Sequence, residues 1–229
     1  MMNGGFQALD GLQIRRGLGV SSWWLAGGIS ASNCVAAYQP KGAADYAASK
    51  VNLANPGTYN ATEGNAPDWD TSYGWSFVKA NSDYLNTGYS GIGGMSLIVR
   101  FSDYNYALST HQAFFIGCKA YTTAWEGMGI CTHQYGENYY LFEHANNYST
   151  DYKPGTNTGV IALCNKTGYW NGSAVKTISS SGAVSGAVRI AKGYEPTQFV
   201  TTKIQAAAIY SVTLTESQVA ALSTAMAAL

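Results

Sequence analysis

From Gly74 onward, short apolar runs alternate with Gly, Asn and Asp at spacings of about 8–14 residues, the rhythm of a β-sandwich or barrel. The runs are GWSFV, DYLNTG, MSLIVRFS, QAFFIGCKA, MGICTHQY, NYYLFEHA, TGVIALCNK, GYWNG, AVKTISS, AVRIAKGY and TKIQAAAIYS. Each is rich in β-branched or aromatic residues and each predicts a strand. In one of them, Tyr139, Leu141 and Glu143 share one face while Tyr140, Phe142 and His144 share the other. Such a series without intervening helical periodicity excludes a doubly wound α/β fold. The last element reads differently. Thr215 is placed as an N-cap, with Gln218 three residues on to complete a capping box. Val219, Leu222 and Met226 then share a helix face that can lie against the sandwich.

The opening third is less periodic. Residues 1–33 are Gly- and Ser-rich and predict an extended arm or anchoring segment, with the domain proper over 34–229. The Trp23-Trp24 pair is too apolar to stay in water, so it is expected to pack on the domain or anchor a partner. CVAAY is β-like, and GAADYAASKVNLAN has room for one or two helical turns before the Asn55-Pro56-Gly57 turn. APDWDTSYG reads as a turn-rich loop.

Composition narrows the function classes. Of the 229 residues 46% are hydrophobic, enough for a core, but only 11% are charged, against about 25% in ordinary soluble domains. Thirteen basic and 13 acidic residues cancel, and Arg15-Arg16 is the sole adjacent basic pair. Without clustered cations to displace phosphate counterions, nucleic acid is not an expected partner. The low charge suits neutral polar faces or faces covered in an oligomer. The N-terminus lacks a classical signal peptide, and Val20 to Ala26 is too short to span a bilayer. The expected setting is a virion or an extracellular surface. The sequons at Asn60, Asn147, Asn165 and Asn171 matter only in a eukaryotic secretory pathway. Cys34, Cys118, Cys131 and Cys164 are irregularly spaced with no CxxC, so buried free thiols are expected over zinc. Cys118 and Cys131 remain possible cross-strand neighbours.

Three segments carry a family resemblance. TGVIALCNKTGYWNGSAVKT resembles the laminin-G-like hairpin, with Tyr169, Trp170, Asn171 and Gly172 filling its aromatic-x-Asn-Gly turn. Asn-Gly suits a two-residue type I′ turn, which needs positive φ at both positions. KIQAAAIYSVTLTESQVAAL is similar to the family's closing strand and exit helix through Ile209, Tyr210, Leu214, Thr215, Gln218, Val219 and Leu222. GWSFVKANSDYLNTG with MSLIVRFS resembles its opening strand pair. Together they span residues 73–229 and imply an all-β, concanavalin A-like jelly-roll sandwich. That fold has two antiparallel sheets, here with a short C-terminal helix. The stretch CVAAYQPKGAADYAASKVNLANPGT further resembles the leader of phage virion proteins, implying a decoration, fibre or tail component.

Calcium-binding members of the family place acidic and carbonyl oxygens at a rim site. Asp68, Asp70, Asp83 and Asp103 are scattered, so no cofactor is expected; Asp68 and Asp70 are the calcium candidates. The superfamily also includes glucanases, whose carboxylates cluster along one strand. No such cluster occurs here. Glu137 and Glu143 are six extended residues apart, about 20 Å, too far for either hydrolytic geometry. There is no GxSxG, HExxH or P-loop, and His111, His133 and His144 are dispersed. Cys131 and His133 share a strand face, but an apolar run makes the thiol inert.

What remains is aromatic surface, which stacks on the apolar face of a sugar ring. The candidates are Trp125, Tyr135, Tyr148, Tyr152 and Trp170. The expected function is therefore non-catalytic: a virion-associated structural protein whose partners are other subunits, with possible adhesion to glycans. A lectin-like carbohydrate-binding module is the alternative, and a glycoside hydrolase the weaker one.

Overall fold

The computed structural model describes residues 22–110, 112–119, 126–132, 140–145, 147–149, 152–180 and 182–229. The chain folds into two antiparallel sheets packed face to face. The strands are β1 (Cys34–Tyr38), β2 (Thr62–Asn65), β3 (Asp68–Asp70), β4 (Gly74–Phe77), β5 (Tyr84–Ser90), β6 (Ser96–Ser102), β7 (Phe114–Lys119) and β8 (Gly127–Thr132). They continue with β9 (Tyr140–His144), β10 (Asn147–Tyr148), β11 (Gly159–Cys164), β12 (Thr167–Trp170), β13 (Ser173–Thr177), β14 (Ala187–Ile190) and β15 (Thr202–Tyr210). Two α-helices, α1 (Tyr46–Ser49) and α2 (Glu216–Ala227), complete the set.

The eight-stranded sheet runs β13-β12-β11-β6-β15-β4-β3, with β1 also pairing to β15; the seven-stranded sheet runs β10-β9-β8-β7-β14-β5-β2. Every pairing is antiparallel. The main core lies between the sheets. Leu97, Val99 and Phe101 of β6 meet Ile116, Ile130 and Phe142 across the interior, the period-2 consequence of alternating side chains. Phe101, Phe115, Tyr140 and Trp170 form a ring cluster there, with centroids 4.8–5.9 Å apart, the range of favourable aromatic pairs.

A second apolar layer covers the outside of the eight-stranded sheet. Val219, Leu222 and Met226 of α2 are fully buried there against Ile98, Ala162 and Ala208. Each such side chain contributes about 1.5–3 kcal/mol. The capping box at Thr215 and Gln218 forms as expected, and Arg100 Nη1 donates to Met226 O at 2.5 Å at the other end of the helix. The Asn171-Gly172 hairpin is also as expected, with φ of 47° and 88°.

The structure bears on three sequence expectations. Within the expected arm of residues 1–33, Trp23, Trp24 and Ile29 are buried in this second layer beside α2, the packing on the domain expected for the tryptophan pair. Residues 1–21 lie outside the described residues. Trp23 Nε1 donates to Gln39 Oε1 at 3.0 Å, and Tyr210 OH donates to Trp24 O at 2.9 Å. The chain's own sheet supplies the apolar surface that the pair needs. Residues 68–70 form β3 instead of a loop, because pairing with β4 and a 2.9 Å bond from Trp69 Nε1 to Pro40 O hold them extended. Cys118 and Cys131 are not neighbours: Cys118 pairs with Met128 and faces the core, while Cys131 pairs with Phe114 on the outer face. All four cysteines are buried free thiols.

Candidate functional site

No helix covers the outer face of the seven-stranded sheet among the described residues. Across that face the register aligns one transverse row: Tyr148, Glu143, Gly129, Gly117, Arg189, Asn86 and Thr62. The two central glycines have a packing reason. A Cβ at Gly117 or Gly129 would come within 2.7 or 2.6 Å of the Phe114 ring, so both must lack one for that ring to lie on the sheet. Phe114 and Cys131 form a small apolar cluster, and half-buried Tyr148 packs against it.

Beside this cluster sits an ion pair. Lys119 Nζ bonds to Glu143 Oε1, with only 7% and 0% of the two side chains exposed. The same ammonium donates to Tyr148 OH at 3.2 Å. Cys131 Sγ lies 3.9 Å from Glu143 Oε2. Burial pushes the Glu143 carboxyl up from its ordinary value, while Lys119 pulls it the other way. Burial also raises Tyr148, and Glu143 adds to that. Cys131 is pushed well up by burial and then by Glu143, which leaves it a thiol rather than a nucleophilic thiolate.

These residues form one wall of a cleft of about 290 Å³, at the small end of ligand sites. Gln112, Phe114 and Lys119 come from β7 and its approach, Glu143 and Tyr148 from β9 and β10. Tyr194, Glu195 and Gln198 come from the loop after β14. That loop is braced by Gly193 N to Gln198 O at 2.8 Å and Glu195 N to Gln198 Oε1 at 2.9 Å. The cleft thus presents tyrosine rings, carboxamides and the exposed Glu195 carboxylate.

Of the aromatic candidates, Tyr148 lines this cleft. Trp170 does not: it faces the core and is 8% exposed. Alternation along β12 places Tyr169 outside and Trp170 inside. Tyr152 is half-buried against Trp170, 6.1 Å between centroids, away from the cleft. Trp125 and Tyr135 lie outside the described residues, as do His111, His133 and Glu137. Trp23 and Trp24 are buried by their own chain.

The acidic candidates do not assemble. Asp70 accepts from Ser72 N at 2.8 Å, Asp83 from Val78 N at 2.9 Å, and Asp103 pairs with Lys203 at 2.7 Å. No group of three or more His, Cys, Asp or Glu gathers among the described residues. The site residues missed from sequence are Gln112, Lys119, Glu143, Tyr194, Glu195 and Gln198. A usable signal existed in Gly117, Gly127 and Gly129, since glycines inside strands mark close approach.

No protein-family model matches the sequence, and no curated protein is similar to it in sequence. Solved structures do share its fold. Domain 4 of AbnA, a GH43 extracellular arabinanase from Geobacillus stearothermophilus in complex with arabinotriose, aligns at TM-score 0.56 and 15% identity. The alignment covers 83% of this chain and 98% of that one. The Trypanosoma rangeli sialidase in complex with 2,3-difluorosialic acid aligns at TM-score 0.54 and 10% identity, covering 84% of this chain and 32% of that one. The botulinum neurotoxin serotype C1 binding domain aligns at 0.54 and 11%, covering 86% and 52%. The chain therefore spans about a third of the sialidase and about half of the toxin domain. At these identities the likeness is one of fold, and the chain is an all-β protein of two antiparallel sheets with one short C-terminal helix.

Proposed function

We propose that this chain is a non-catalytic carbohydrate-binding module whose site is the cleft on the outer face of the seven-stranded sheet. The observation that carries this reading is the fixed position of Tyr148. Its hydroxyl is tied to Lys119 and its ring rests on Phe114 and Cys131, so the ring is preorganised at the cleft wall. A preorganised ring avoids ordering costs on binding, and the carboxamides of Gln112 and Gln198 suit sugar hydroxyls. The arabinotriose complex of the AbnA domain lends support by analogy of fold.

A glycan array probed with the whole chain tests the reading. Binding to at least one glycan, lost in Tyr194→Ala and Tyr148→Ala, is the expected result. An array without binding counts against it.

A second reading is a glycoside hydrolase. Glu143 and Glu195 line the same cleft, and burial holds the Glu143 carboxyl up, as a general acid requires. The contact with Lys119 argues against it, because Lys119 pulls the carboxyl the other way and occupies it. Release of reducing sugar from a polysaccharide panel, abolished in Glu195→Gln, would favour the hydrolase.

The virion-scaffold reading invoked residues 1–33 as an anchor. Trp23, Trp24 and Ile29 pack on the domain itself and residues 1–21 lie outside the described residues, so that reading draws its support from composition and the leader resemblance.

A further inference from the structure

The row that borders the cleft continues across the sheet to a second polar group. From Glu143 it passes Gly129 and Gly117 to Arg189 on β14 and then Asn86 on β5. Three strand spacings of roughly 4.8 Å place Arg189 about 14 Å from Glu143 on the same face. The Arg189 Nε is buried and has no acceptor. Neither Arg189 nor Lys192 is in an ion pair among the described residues. Lys192 Nζ sits 3.9 Å over the Phe199 ring and 4.9 Å over the Tyr84 ring, donating to Pro196 O at 3.3 Å. Burial lowers the Lys192 pKa, and the neighbouring Arg189 charge lowers it further.

Two adjacent cations without an acid between them, one with a buried donor lacking an acceptor, are an unfavourable arrangement unless an anion meets them. A guanidinium offers donors in a fixed fork matched to a carboxylate. We propose that Arg189 forms an anion subsite beside the cleft, so that the ligand is an acidic oligosaccharide whose carboxylate pairs with Arg189. This rests on the cleft being the carbohydrate site. Its distance from Glu143 requires more than one sugar ring, and Lys192 adds charge without a second fork.

Titration calorimetry of the whole chain with trigalacturonate and with sialyllactose, each against its methyl ester, tests this. The acid form of one probe should bind about tenfold or more tightly than its ester, and added salt should narrow the gap. Arg189→Gln should abolish the acid preference while leaving ester binding intact, which also shows that the variant folds. Arg189→Lys should restore part of the preference, since it keeps the charge and loses the fork. Equal binding of acid and ester, lost in Tyr194→Ala, overturns the anion subsite and leaves the carbohydrate reading standing. An acid preference unchanged in Arg189→Gln also overturns it. Absence of binding by all four probes overturns the anion subsite, while binding of another glycan on the array, lost in Tyr148→Ala, leaves the carbohydrate reading standing.

Discussion

Lys119 and Glu143 face each other across β8, on strands that do not pair directly, and form an ion pair almost wholly removed from water. Neither charge has solvent to fall back on. Lys119→Met alone leaves Glu143 buried without its cation, and breaking a pair of this kind costs about 3–5 kcal/mol. Replacing both by Met and Leu should cost much less than the single change. Urea unfolding of the single and double variants measures this; equal losses would contradict it.

Trp23 gives a test of where the domain begins. It is 2% exposed in the layer formed with α2. Trp23→Ala should destabilise the fold by about 3–5 kcal/mol, the cost of emptying a large aromatic site. Thermal melting reads this out. A change under about 0.5 kcal/mol, typical of surface substitutions, would return residues 22–33 to the status of a loose arm.

Gly172 is the strained half of the Asn171-Gly172 turn. Its φ is 88°, and a Cβ there would lie 2.9 Å from Ala220 Cα of α2. Gly172→Ala should therefore cost more than the 1–2 kcal/mol or so of a left-handed residue alone, because the helix must also move. Gly28 is a control, with φ of 73° and nothing within 4 Å of a Cβ. Gly28→Ala should show only the backbone penalty.

His144 makes stability depend on pH. It is 3% exposed, with Nδ1 3.1 Å from Ser180 Oγ and Nε2 unpartnered. Burial first, then the charge of Lys166, lowers its pKa below the ordinary 6.5. The unfolded chain then binds more protons than the folded one just below pH 6.5. The stability linked to His144 is thus complete above about pH 6.5 and is lost as pH falls toward the depressed folded value. Melting curves between pH 7.5 and 5.5 should fall more steeply for the wild type than for His144→Asn. Parallel curves would refute the assignment.

The sandwich was legible because its strands announce themselves locally. β6 and β15 are long apolar runs, Asn171-Gly172 can only turn, and Thr215 with Gln218 marks a helix start. What escaped depends on partners distant in sequence. β3 is three residues with an acid at each end, and its extended form comes from β4 and Pro40. Trp23 lies beside α2, nearly 200 residues away in sequence. Whether Trp170 lies on the surface or in the core depends on its strand's phase, which the pairing of β12 with β11 sets. The cleft was the least legible feature. Lys119 and Glu143 are 24 residues apart, and only the antiparallel register of β7, β8 and β9 aligns them.

If the cleft is the carbohydrate site, ligand binds on the outer face of the seven-stranded sheet. Amide chemical-shift mapping of the labelled chain with a glycan selected on the array tests it most directly. Perturbations should concentrate on β7, β9, β10 and the loop holding Tyr194 to Gln198. Perturbations confined to the opposite sheet, around α2 and Trp23, would contradict it.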